Sequence, residues 1–167
     1  PRPDAELDAE GLRAAWAALQ DTHDFFPLLR RFKAHRLQAF RLAGAEWAQP
    51  LAPGSVERAI TQAAAAGLPI MVFVGNAGCI QIHTGPVERL VPIEGWFNVM
   101  DPAFNLHLRP AAITQTWLVR KPTGDGVVTS VEAFDEAGNA VITLFGKRKP
   151  GTPEDPDWRA LAEGLRA

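Results

Sequence analysis

The 167-residue sequence has no tyrosine and a single cysteine, Cys79. Chemistry that calls for a phenol is therefore closed to this chain. One cysteine excludes an internal disulfide and a cysteine-based zinc site, and it fits a reducing compartment. No apolar run approaches the roughly 18 residues that a membrane-crossing helix needs, and no charged-then-apolar leader opens the chain. The expectation is a cytoplasmic protein without membrane insertion. The chain opens at Pro1 rather than Met, and it is read as a piece of a longer or trimmed chain. Positive charge is in short supply: 17 basic against 19 acidic residues give a net charge of −2. A general nucleic-acid binder would need a basic face, so nucleic acid is not expected as a partner. The sequence contains no P-loop, no dinucleotide GxGxxG and no GxSxG. The four histidines, His23, His35, His83 and His107, form no i, i+3 or i, i+4 pair, which removes the helical metal patterns.

What is present is an ordinary globular composition, 47% apolar and 22% charged, read as one domain over residues 1–167. Residues 1–4 read as a loose lead. Leu12, Trp16 and Leu19 recur at helical spacing within a helix from Ala5 to Gln20, and Phe25, Leu28, Leu29 and Phe32 do so within a second from Asp24 to Ala34. Arg36 to Ala43 alternates apolar and polar residues and reads as a strand; Gly44 turns the chain and Trp47 to Leu51 pairs back. Ser55 caps a third helix, Val56 to Ala66, closed by Gly67. Period-two segments follow: Ile70–Val74, Cys79–Thr84, Val87–Ile93, Trp96–Met100, Phe104–Leu108, Ile113–Arg120, Val127–Phe134 and Ala140–Lys147. Gly75 to Gly78 and Thr123 to Gly126 form hairpin turns. A last helix has Asp155 as cap, Pro156 at its first position, and Trp158, Leu161 and Leu165 on one face. Helices first and hairpin-linked strands afterwards make an α+β fold, a large antiparallel β-sheet of about seven to nine strands with helices packed at one side.

The stretch Asp21-Thr22-His23-Asp24-Phe25-Phe26 stands at the joint between the first two helices, with Pro27 in the first turn of the second. An imidazole there feels the positive end of the helix dipole, which favours its neutral, metal-ligating form. Taken alone, His23 reads as a half-exposed capping-region histidine, and Asp21 and Asp24 read as helix caps. His83 and His107 read as sheet-surface or hydrogen-bonded histidines, and Cys79 as a buried thiol in an apolar strand. The cations Arg36, Lys121 and Arg148 all fall at expected strand ends. They are either ordinary solvated edge charges or a basic rim suited to an acidic small ligand. A neutral histidine, a wide apolar sheet face and a basic rim together describe a haem site: imidazole for iron, apolar walls for porphyrin, cations for the two propionates.

Five strings carry a family resemblance: Asp21-Thr22-His23-x-Phe25-Phe26; Gly75-Asn76-x-Gly78-Cys79-Ile80-Gln81-Ile82-His83-Thr84-Gly85-Pro86; Asn98-Val99-Met100-Asp101-Pro102-x-Phe104-Asn105-Leu106-His107-Leu108-Arg109; Val119-Arg120-Lys121-Pro122-Thr123; and Phe145-Gly146-Lys147-Arg148-Lys149-Pro150-Gly151. They resemble the haemin-degrading factors of Gram-negative haem-uptake operons, the HemS/ChuS/PhuS-like family. The likeness runs from about Leu12 to the end of the sequence. It implies one repeat, the C-terminal one, of a protein built from two such repeats. It implies haem as ligand, His23 as the axial ligand of its iron, Arg36, Lys121 and Arg148 at the propionates, and Phe104 and Phe145 among the apolar walls. Phe145 stands where relatives often carry tyrosine. The distal side is completed in the family by an arginine of the N-terminal repeat, so the missing repeat or a homodimer partner would have to close the cleft. Implied function is cytoplasmic haem binding for trafficking, with a haem oxygenase or a haem-uptake ABC transporter as partner. Haem oxygenase-like ring opening by the protein itself, or a half-site domain without affinity of its own, are the alternatives.

Overall fold

The computed structural model describes residues 3–166; the first two residues of the expected loose lead lie outside it. Among these residues the order is α1 (Ala9–Ala17), α2 (Phe25–Phe32), α3 (Arg36–Ala43), β1 (Ala48–Leu51), α4 (Ser55–Ala66), β2 (Ile70–Gly75), β3 (Ile80–Gly85), β4 (Leu90–Ile93), β5 (Trp96–Asp101), β6 (Phe104–Leu108), β7 (Gln115–Thr123), β8 (Gly126–Phe134), β9 (Ala140–Gly146) and α5 (Pro156–Gly164). The expected α+β class with a large antiparallel sheet holds. The strands divide between a six-stranded sheet, β1-β7-β8-β9-β2-β3, and a three-stranded sheet, β4-β5-β6. No described helix is long and apolar enough to cross a membrane.

One segment departs from the sequence expectation in kind. Arg36 to Ala43 is helix α3, not a strand. Over eight residues the alternating letters also place Leu37, Ala39, Phe40 and Ala43 on one helical stripe, and these four are buried. The side chain of Gln38 accepts the His35 N–H at 2.9 Å, which caps the first turn. The stretch after Gly44 accordingly pairs elsewhere: β1 lies antiparallel to β7, with Ala48 opposite Val119 and Leu51 opposite Thr116. The first expected helix is also shorter. A 3₁₀ turn over Asp4–Glu6 precedes it, and Asp8 starts α1 by accepting the Gly11 N–H at 2.8 Å. Helix α4 is preceded by Gly54 in a left-handed conformation (φ 81°), so Ser55 stands inside the helix rather than capping it.

The faces of the six-stranded sheet bury two different cores. On β7, Leu118 belongs to one core while Trp117 and Val119 belong to the other, as period-two geometry requires. The first core joins Val131, Ile142, Leu144, Ile70 and Val72 to α4, α5 and the inner side of the three-stranded sheet (Val99, Leu106, Leu108). The second joins Trp117, Val119 and Phe134 to α1, α2 and α3 through Leu12, Trp16, Phe25 and Phe40. Trp16 and Phe25 meet edge to face at 4.7 Å between ring centroids. Helices α1 to α3 reach the buried residues of β1, β7 and β8 only. The same sheet face continues uncovered over β9, β2 and β3.

Helix α5 is seated on the sheet through Trp158, which is fully buried and donates its indole N–H to the Thr129 carbonyl at 2.9 Å. Its ring lies against Gly146, where an added Cβ would stand 2.6 Å from Trp158 Cγ. The clash falls on the Cβ and Cγ of a fully buried tryptophan whose N–H is already tied to Thr129, so Gly146→Ala should destabilise the fold by about 1–3 kcal/mol. A thermal melt with an unchanged midpoint would contradict this packing account.

Candidate functional site

The joint before α2 is built by Asp21. Its carboxylate accepts the backbone N–H of His23 at 2.8 Å and contacts the ring Nδ1 of His23 at 2.7 Å. The backbone N–H of His23 first, and then its ring, hold the Asp21 carboxyl below its ordinary range, with Arg148 adding a weaker pull. An ionised carboxylate only accepts, so Nδ1 carries a proton, and in the neutral ring Nε2 is the nitrogen with the free lone pair. The His23 side chain is 93% exposed, so that lone pair faces outward. Of the two phenylalanines that follow, Phe25 enters the core and Phe26 is exposed.

Beneath this joint lies a buried charge cluster. Glu132 of β8 is 1% exposed and accepts from Arg36 Nε at 2.8 Å, Arg36 Nη2 at 3.0 Å, Lys121 Nζ at 3.1 Å and Ser130 Oγ at 2.9 Å. Arg36 sits at the first position of α3, and its guanidinium lies over the Phe25 ring at 5.0 Å. The Lys121 ammonium lies over the same ring at 4.7 Å. Burial alone would raise the Glu132 carboxyl, but Arg36 and then Lys121 outweigh it and hold it far below its ordinary value. Lys121 is pushed down from its ordinary value. Desolvation is the largest cause and Arg36 adds to it, so Glu132 compensates only in part. Two cations share one carboxylate, and the surplus burden falls on Lys121.

Arg148, just past β9, approaches Asp125 Oδ2 at 3.9 Å and is partly exposed. Asp125 lies in the β7–β8 turn, and the neighbouring Gly124 N–H donates to the Gln20 carbonyl at 2.9 Å, tying that turn to the His23 joint. Phe145 of β9 stands opposite Ser130 on one side and Met71 on the other, with its ring 5.1 Å from that of Phe73. Ile82 pairs with Phe73 and Ile80 with Gly75, and both isoleucines are more than half exposed, at 53% and 56%. Cross-strand partners share a face, so Lys121, Ser130, Glu132, Phe145, Met71, Phe73 and Ile82 line one open, largely apolar surface running away from His23.

The structure thus brings His23, Arg36, Lys121, Arg148 and Phe145 to one side of the sheet. It does not bring Phe104 there. Phe104 belongs to β6, and its ring stacks on His83 at 3.8 Å with a 9° interplanar angle. His83 is paired with Val72, whose side chain enters the opposite core. Phe73 is the phenylalanine that stands beside Phe145 on this face. The sequence missed it because Ile70 to Val74 is apolar throughout and gives no hint of which residues face the site. Glu132 was missed as well, although an acidic residue inside the otherwise apolar and small-residue run Val127–Phe134 is a signal in itself. Cys79 is exposed rather than buried. The Asn76 side chain accepts the N–H groups of Gly78 and Cys79 at 2.8 and 3.0 Å, which holds Cys79 in the β2–β3 turn.

The cluster has consequences for stability. Glu132→Gln leaves the buried Lys121 and the partly exposed Arg36 without their counter-ion and should cost about 3–5 kcal/mol. Lys121→Met should cost less, because Arg36 still neutralises Glu132; equal losses would contradict this ordering. The folded Glu132 carboxyl lies below the unfolded value of about 4.3. Its contribution is therefore fully present above that value and is lost as pH falls below it. Urea melts between about pH 6 and 3 should show an acid-dependent loss in the wild type that is reduced in the Glu132→Gln variant.

Comparison with known proteins places this geometry in a family. Residues 33–165 match the model of the haemin-degrading HemS.ChuX domain. The "Hemin transport protein HemS" of Yersinia enterocolitica is 42% identical over 150 residues, covering 90% of this chain and 44% of that protein. The haem-binding protein PhuS of Pseudomonas aeruginosa, in its apo crystal structure, superposes with a TM-score of 0.97 at 56% identity, covering 100% of this chain and 51% of PhuS. ChuS, an E. coli haem oxygenase, superposes with a TM-score of 0.93 at 41% identity over 97% of this chain and 50% of ChuS. The chain spans about half the length of the relatives it matches. It belongs to the haemin-degrading HemS/ChuX family.

Proposed function

We propose that this chain binds haem on the open sheet face beside α2, as one half of a haem-binding cleft in haem uptake. His23 Nε2 serves as the axial ligand of the iron. Phe145, Phe73, Met71 and Ile82 form the apolar wall, and Arg36, Lys121 and Arg148 receive the propionates. The observation that carries this reading is the imbalance at Glu132. A buried lysine and a partly exposed arginine share one buried carboxylate, and desolvation presses Lys121 toward its neutral form. A propionate arriving at the rim of this cluster supplies the missing negative charge and relieves that penalty. Few ligands other than a flat apolar one with carboxylates at one edge would meet an exposed imidazole, a broad apolar face and a surplus cation together. The fit extends to the relatives, whose names describe haemin transport and haem binding.

Binding for transfer suits the geometry better than ring opening. Controlled oxygen chemistry needs a protected sixth position, and the face opposite His23 is open to solvent among the described residues. A second repeat, or a second copy of the chain, would cover it. A cytoplasmic haem carrier would then deliver to a haem oxygenase, or receive from a haem-uptake ABC transporter. A relative that is a haem oxygenase keeps the degradation reading testable: with ascorbate in air and catalase present the haem should stay intact, with no biliverdin formed, and loss of the Soret band with biliverdin appearing would favour ring opening instead.

A haemin titration followed by absorbance tests the ligand. The wild type should give a saturable Soret band, and His23→Ala should bind at least tenfold more weakly at this face, with a changed spectrum. The same spectrum and affinity in the variant would overturn His23 as the ligand.

A further inference from the structure

On the far side of the molecule, the three-stranded sheet turns a second apolar face to solvent. Its outward strand residues are Val91 and Ile93 on β4, Trp96, Asn98 and Met100 on β5, and Asn105 and His107 on β6, with Arg89 just before β4 and Arg109 just after β6. Ile93 is 59% exposed, Trp96 42% and Met100 38%. These side chains border a shallow recess of about 600 Å³, a volume in the range of small-ligand sites.

The centre of this face is organised by Asn98, a polar side chain that is 94% buried. Its Nδ2 donates to the Val91 carbonyl at 2.9 Å, which fixes the amide and turns Oδ1 toward His107. His107 Nδ1 lies 2.8 Å from that oxygen. An amide oxygen only accepts, so Nδ1 carries a proton, and in the neutral ring His107 Nε2 is the nitrogen with the free lone pair. No acidic side chain approaches the His107 ring among the described contacts. A buried residue is thus spent on orienting an exposed imidazole on an apolar shelf. The Arg109 guanidinium lies over the Trp96 ring at 5.1 Å, while Arg89 borders the opposite corner. A flat ligand with carboxylates at one edge would meet a cation in either orientation.

We propose that this face is a second, weaker site for an iron porphyrin, with His107 Nε2 as its axial ligand, Trp96, Val91, Ile93 and Met100 as its shelf, and Arg89 or Arg109 at its carboxylates. It shares a ligand class with the His23 face and nothing else. The main core separates the two, so they fill independently.

Haemin titrations of four proteins test this: wild type, His23→Ala, His107→Ala and the double variant. The expected result is two equivalents per chain in the wild type, one in each single variant and none saturable in the double. Trp96→Ala, which leaves His107 in place, should weaken the second equivalent at least tenfold. Backbone NMR with gallium protoporphyrin, a diamagnetic probe, should shift Trp96, Asn98 and His107 in the His23→Ala background. If the wild type binds one equivalent and His23→Ala abolishes it, this proposal falls while the His23 reading stands. If His107→Ala abolishes a single equivalent instead, the His23 reading falls. Unchanged binding in the double variant would assign the extra equivalent to non-specific stacking and overturn the proposal.

Discussion

The contact on which the site side of this fold depends is the buried carboxylate of Glu132. It ties α3 to the sheet through Arg36, and it pairs with Lys121 where water is excluded. Both cations also lie over the Phe25 ring, which itself packs on Trp16 and Phe40. The start of α2, and therefore the position of His23, is set by the same residues that set the charge. A replacement that removes Glu132 alters the helix layer and the electrostatics together, because one set of contacts serves both.

This arrangement places an electrostatic demand next to an unfilled apolar surface. Buried ion pairs often break even against apolar packing, and an odd charge among them is expensive. The cost is tolerable where a ligand of opposite charge can share it. The uncovered stretch of sheet over β9, β2 and β3 has the corresponding apolar demand: exposed Ile80 and Ile82 beside half-buried Phe73 and Phe145. A contiguous patch of this kind marks a surface that is covered in use.

Much of the sheet was legible because hairpins announce themselves. The segments around Gly75 to Gly78 and Thr123 to Gly126 carried both the alternation and the turn residues, and β2, β3, β7 and β8 fall close to where they were read. Arg36 to Ala43 was not legible, because eight residues cannot separate a helical stripe from an alternating one; packing against α1 and the cap from Gln38 decide it. Arg36 reads in the sequence as a strand-end cation, yet it reaches the same cluster from the first turn of a helix. Its place near Lys121 rests on Glu132, which no motif had pointed to. Phe104 illustrates the opposite case: a phenylalanine in a long recognisable string, carried by topology to the far side of the sheet. Only the pairing of β9 with β2 reveals that Phe73 stands beside Phe145.

The central claim, that His23 and the Glu132 cluster together hold one haem, is tested most directly by a crystal structure of the chain loaded with haemin at one equivalent. The account predicts iron bonded to His23 Nε2, with the propionates within hydrogen-bond reach of Arg36 or Lys121 and of Arg148. Iron on another side chain, or propionates turned away from the cluster toward solvent, would contradict it.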